Sequence, residues 1–350
     1  MRPLSATEAF TPALDHTKAL LRPFSLRLWL KLGFVAILAE MGGQTFVPPL
    51  GGNFNQAHDS QHFVASTAFT AGIVTIVVVA MVAAIAVWLL LFYFGSRMQL
   101  VLMDLVATRT TLVSPAWRRT AARTWRWVTL KFVCCLVVFI AMGVLFAGPI
   151  FLFVRFLSQN GQQPEAPAAI GSIIAFVFAF LVVIFIIVAL TWLMRDIMLP
   201  FVLFQDAPFG EAISRTVQMV RTEPGPVCFY LFMKFVITLA AGIMAELCIL
   251  FAVIACAIPT GGIGVALWFA LRHSSSAGTI MMYISFGLLG LIFLTGVIAA
   301  IVCIGGATMV FYQAYALYFV GGRIPEVGYL LEPPPPQDFV PAPPPPFAPA

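Results

Sequence analysis

The feature that most constrains this chain is its last apolar run, over about 277–322, in which no residue carries a charge. At ~1.5 Å of rise per residue, such a run would reach roughly 66 Å as one helix, about twice the hydrocarbon thickness of a bilayer. Part of it is therefore expected to tilt, break or lie at the interface, with Gly305 and Gly306 as the place for a break. Glycine inside a membrane helix also serves close helix packing. Other runs approach or pass the ~20 apolar residues that a crossing needs. They are a weak one at 26–46, broken by Lys31 and Glu40, and stronger ones at 68–94, 132–154, 168–194 and 228–258, the last around Glu246.

With 61% hydrophobic and 9% charged residues, a chain of 350 residues has more apolar surface than a water-soluble globule can bury. The expected fold class is all-α: a polytopic membrane helix bundle of about six transmembrane helices, arranged as three hairpins with interfacial amphipathic helices. Residues 1–24 are expected to form an amphipathic segment without the signature of a cleavable signal peptide, 25–331 the membrane domain, and 332–350 a disordered Pro-rich tail.

Basic residues fix the orientation. If the amino terminus lies inside, seventeen of the nineteen Lys and Arg fall in the terminus, the loops after spans two and four, and the tail. Only Arg155 and Arg272 fall outside. The expected location is the bacterial cytoplasmic (inner) membrane, with both termini in the cytoplasm.

A repeat of about 100 residues runs beneath this pattern. Each unit has a lysine near the start of its first span, at Lys31, Lys131 and Lys234, and a base thirteen positions earlier, at Lys18, Arg118 and Arg221. Glu8-Ala9 and Glu211-Ala212 lie twenty-three positions before the first and third lysines. The unit reads as a cytoplasmic amphipathic helix followed by a hairpin, which implies pseudo-threefold packing.

Between Ser114 and Lys131, Trp117, Trp125 and Trp127 alternate with Arg118, Arg119, Arg123 and Arg126. Tryptophan favours the headgroup zone and arginine reaches lipid phosphates, so these seven are the expected contacts to anionic lipid of the inner leaflet. Ser114-Pro115 suits a helix start. A second surface helix is expected over 211–222, after a turn at 206–210. Pro200, the apolar run to Phe204, the short turn, Glu211-Ala212 and Arg215-Thr216 together resemble the bacterial membrane domain that accompanies some glycerophosphoryl diester phosphodiesterases and also occurs as free-standing proteins. The resemblance implies a helical membrane domain and no chemistry. Catalysis in those enzymes belongs to a separate soluble domain with acidic and histidine metal ligands, which has no counterpart here.

No nucleophile elbow, phosphate loop, paired carboxylate motif or zinc helix stands in the sequence, so no catalytic, cofactor or metal residue is nominated and an enzyme is not expected. His58 and His62, four apart beside Asp59, read as a solvated loop. The six cysteines fall in apolar stretches and read as small packing residues. A charge inside the membrane calls for a reason, which makes Glu246 the first functional candidate and Glu40, toward the outer end of span one, the second. Arg195 and Asp196 end span four where Arg97 and Asp104 end span two, and the four are expected to form a charged ring beneath the bundle.

The function expected is that of a non-enzymatic membrane protein that organises the membrane or binds lipids or partner proteins, the Pro-rich tail being a place for a protein partner. The net charge of +5 sits beside the spans, where lipid accounts for it without nucleic acid. The alternative is a small-solute or ion transporter that uses an intramembrane carboxylate.

Overall fold

The computed structural model describes residues 2–22, 25–41, 67–158, 166–272 and 276–332. Among these, every regular element is a helix. The order is α1 (Phe10–Leu21), α2 (Leu26–Met41), α3 (Thr67–Thr108), α4 (Val113–Ser158), α5 (Ala166–Leu193), a π-helical turn (Met194–Met198), α6 (Leu199–Phe204), α7 (Phe209–Thr222), α8 (Pro224–Leu271), α9 (Ser276–Gly321) and α10 (Pro325–Leu331). Five stretches are long and apolar enough to cross a membrane, as in a multi-pass protein: Thr75–Thr108, Val113–Gly143, Phe180–Phe204, Pro224–Leu271 and Gly278–Gly321. The first expected span is described only as the 16 residues of α2. Its end, the loop with His58 and His62, His273, and the Pro-rich tail at 333–350 with its expected partner all lie outside the described residues.

The long helices divide into two regions. At one end they pack into a base, with α1, α2, α7 and α10 around 92–108 of α3, 113–131 of α4, 194–204, 224–237 of α8 and 306–321 of α9. Apart from Val183 and Gly264, the buried residues among those described lie in this base. Trp127, Tyr230, Tyr315 and Phe319 are its largest fully buried side chains, and Tyr230 stacks on Phe319 and Tyr315 with ring centroids 4.1 and 5.3 Å away. Beyond the base the same helices become apolar arms, open to their surroundings: Phe139 and Phe178 are 71% and 68% exposed. Such surfaces are stable against lipid, where apolar exposure carries no penalty and backbone groups are satisfied within each helix.

Local chemistry sets the boundaries. α3 ends at Arg109, held in the left-handed region at φ 53°, with the Thr110 N–H donating to the Leu105 carbonyl to close the helix end. Its guanidinium then reaches the Tyr318 hydroxyl and the Leu331 carbonyl, which ties α3 to α9 and α10. Asp206, at φ 54°, turns the chain between α6 and α7. Helix α7 fits the surface helix expected there, burying Ala212 and Thr216 on one face and pairing Glu211 with Arg215 one turn on. Pro224 starts α8 at a position where its missing N–H costs nothing.

Three expectations are corrected. The last apolar run is one unbroken helix, and Gly305 and Gly306 do not interrupt it. Its excess length lies in the base, and Gly306 instead lets α9 cross α2 at Gly33, where an added Cβ would sit 2.2 Å from the Gly33 Cα. Helix α4 begins near Ser114-Pro115 as expected, but it continues through Lys131 into its arm, so 114–131 is not a separate surface helix. Of the three hairpins, α2 packs along α3 and α8 along α9, whereas α4 and α5 scarcely touch over their described lengths.

Candidate functional site

Where the arms join the base, α2, α3, α4, the π turn, α8 and α9 bring a layer of buried polar side chains together. Helix α4 presents Trp127 and Lys131 one turn apart, and both donate to the Gln99 side-chain oxygen on α3, at 3.2 and 3.4 Å. The Gln99 amide nitrogen donates in turn to the Ala39 carbonyl of α2 at 2.9 Å. Helix α8 repeats the arrangement. Tyr230 and Lys234, again one turn apart, both donate to Oδ2 of Asp196, the hydroxyl at 2.8 Å and the ammonium as an ion pair. Each aromatic and lysine pair therefore closes on an acceptor from the second helix of the preceding pair, or the turn that follows it.

The π turn places two adjacent residues in this layer. Extra residues of this kind often mark functional positions, because they rotate side chains that an α-helix would point elsewhere. Arg195 pairs with Glu40 at the end of α2, and its Nε and Nη2 donate to the Gln313 side-chain oxygen at 2.8 and 3.1 Å, in the amide orientation its surroundings require. Asp196 turns to Lys234 on the other side. Its Oδ1 is buried without a hydrogen-bond partner among the described residues. Arg195 and Lys234 thus pair with Glu40 and Asp196 while Lys131 is held by Gln99, an arrangement whose desolvation is offset only while every partner stays in place.

This layer redistributes the residues singled out in the sequence. The expected ring of Arg97, Asp104, Arg195 and Asp196 does not form. Arg97 lies over the Trp117 ring at 3.6 Å, and Asp104 is paired with Arg119 at 2.7 Å, while Arg195 and Asp196 bind Glu40 and Lys234. Glu40 does not stand alone at an outer surface, because the close α2–α9 crossing brings it to Arg195. Among the expected lipid contacts, Trp127 is 1% exposed and belongs to the core. Arg123 and Arg126 hold Asp206 at 3.1 and 2.9 Å, whereas Trp125 and Arg118 remain exposed.

Glu246 lies apart from the layer, twelve residues beyond Lys234 and so roughly 18 Å further along α8. It is exposed and has no partner among the described residues. With Val188, Trp192, Phe235, Thr238 and Leu239 it lines an open groove of about 570 Å³ between α5 and α8. The Thr238 hydroxyl there is also without a hydrogen-bond partner among the described residues.

One further titratable group escaped the sequence reading. His16 of α1 is 3% exposed, with Nε2 donating to the Val106 carbonyl at 2.8 Å and Nδ1 accepting from the Tyr318 hydroxyl at 3.3 Å. Burial holds its imidazole below the ordinary value of 6.5, and the nearby Arg109 guanidinium adds to this against the opposing hydrogen bond to Val106. Lys131 and Lys234 were visible only as repeat markers. The aromatic donor four residues before each was the signal that they face inward. Among the described residues, no group of three His, Cys, Asp or Glu is placed to hold a metal ion.

No curated protein and no solved structure matches the chain. A family model does match, over residues 4–330, and by that match the chain belongs to the family of unknown function DUF7544.

Proposed function

We propose that this is a non-enzymatic integral membrane protein of the bacterial cytoplasmic membrane, with both termini inside, which organises lipid at the inner leaflet. The observation that carries the reading is the sorting of charge. Arg22, Arg27, Lys31, Arg118 and Arg221 are exposed on the base without partners among the described residues. The described arms carry only Glu246, Arg155 and Arg272 as charged residues. A cationic base from which apolar arms emerge attracts anionic headgroups at one leaflet, at about 1 kcal/mol per basic residue near the surface.

The test is lipid retention. Protein purified from vesicles of equal phosphatidylglycerol and phosphatidylcholine should keep the anionic lipid in excess, and the excess should shrink as salt rises. Equal retention of the two would sink the reading.

Glu246 favours a second reading, a small-solute or ion transporter. An unpartnered carboxyl on an apolar arm is the kind of group that coupling uses. Proteoliposomes of wild type should then show proton or cation flux that Glu246→Gln abolishes. Flux no greater than that of empty vesicles under each imposed gradient would reject it.

A further inference from the structure

The two polar pairs in the buried layer obey one rule, and the first repeat breaks it. In the second and third repeats, donors at i and i+4, Trp127 with Lys131 and Tyr230 with Lys234, are buried against an acceptor from the preceding hairpin. The matching positions of the first repeat, by the lysine register, are Arg27 and Lys31 of α2. Both are exposed, and neither has a partner among the described residues.

The reason is how α2 is seated. Leu32, Gly33, Val35, Ala36 and Ala39 are its buried residues. Gly33 presses on α9 so closely that a Cβ there would sit 2.2 Å from the Val302 carbonyl oxygen. Gly33 lies two residues beyond Lys31, about 200° around a helix of 3.6 residues per turn, so committing the glycine face to α9 turns the basic pair outward. The second and third repeats have Val133 and Val236 at the corresponding positions, and they keep their donor faces inward.

The outward face has a second half. Phe34, at 57% exposure, and Met41, at 46%, continue it at i+7 and i+14 from Arg27. One strip of α2 therefore carries two cations at its start and apolar side chains over the following ~15 Å of helix. That is the profile of a single phospholipid: an anionic head at one end and an acyl chain at the other.

We propose that Arg27 and Lys31 bind the phosphate of one bilayer lipid, which takes the acceptor place that Gln99 and Asp196 fill in the other two repeats, with its acyl chain along Phe34 and Met41. The site rests on the lipid-organising reading above and gives it an address. A phosphate suits this pair because its oxygens accept from both side chains at once and its charge is opposite to theirs. A neutral headgroup supplies no matching charge.

The experiment is native mass spectrometry of the full chain released from bilayers of equal phosphatidylglycerol and phosphatidylcholine, comparing wild type, R27Q/K31Q and R2Q/K18Q, whose cations are already paired with Glu8 and Asp15, with a thermal melt of each to establish folding. Wild type should retain one phosphatidylglycerol preferentially, and R27Q/K31Q should weaken that retention by roughly 30-fold while R2Q/K18Q leaves it in place. Equal loss in both double variants would overturn the site in favour of diffuse surface charge. Retention unchanged in R27Q/K31Q would overturn the site while sparing the lipid reading, whereas no anionic preference in wild type would end both. Inorganic phosphate at millimolar concentration should fail to displace the lipid. Full displacement would reassign the pair to free phosphate.

Discussion

The base and the arms are built from the same helices and solve opposite problems. In the base, α3, α4, α8 and α9 meet one another and the shorter helices α1, α2, α7 and α10, and their buried polar side chains need protein partners because neither water nor lipid reaches them. In the arms, α8 still packs along α9, but most side chains face the surroundings and are almost uniformly apolar. Stability in the base is therefore a matter of particular pairs, while in the arms it is a matter of average chemistry. The difference shows that one apolar helix can serve as protein core and as lipid-facing surface within its own length.

The largest expected effect sets the two regions furthest apart. Lys234→Met leaves Asp196 buried without its ion-pair partner and should cost about 3–5 kcal/mol, read as a fall in the denaturation midpoint in nanodiscs. The double substitution Lys234→Met with Asp196→Leu should recover most of that loss. If the single change is silent, the layer is not the clasp of the base. A smaller effect is expected from pH. With its folded pKa lowered, His16 contributes stability that is fully present above the unfolded value of 6.5 and is lost as pH falls from there through the folded pKa. The melting temperature should therefore decline below pH 6.5 by no more than one proton's worth of slope, and His16→Gln should flatten that part of the profile. In the arms, Phe178→Leu should change stability in nanodiscs by less than about 0.5 kcal/mol. A loss as large as that at Lys234 would erase the distinction between the regions.

The spans were legible in the sequence because hydropathy reports the need for an apolar environment. It does not say whether lipid or protein supplies that environment, since lipid chains are as apolar as a core of leucine. Leu100 to Met103, buried in the base, and the exposed residues 76–87 of the same helix read alike by composition. The surface helix α7 was legible because its period sorts polar from apolar residues. Glu40 and Arg195 were placed by counting crossings, which assigned them to opposite ends and missed their ion pair. Trp127 was grouped with lipid contacts because it lies in a Trp and Arg-rich stretch, yet its position one turn before Lys131 sets it inward. The charges of Arg97 and Asp104 were read correctly as needing partners, but the partners, Trp117 and Arg119, come from the following helix.

Helices α8 and α9, of 48 and 46 residues, run from base to arm tip without a break. At ~1.5 Å per residue each is a rod of roughly 70 Å. Such a rod cannot lean at one end alone. If the surrounding bilayer thins and the arms recline to match it, the base turns with them, and a 10° change in tilt carries the base end of the rod sideways by about 12 Å over its full length. Membrane thickness and the posture of the base are thus two readings of a single dial.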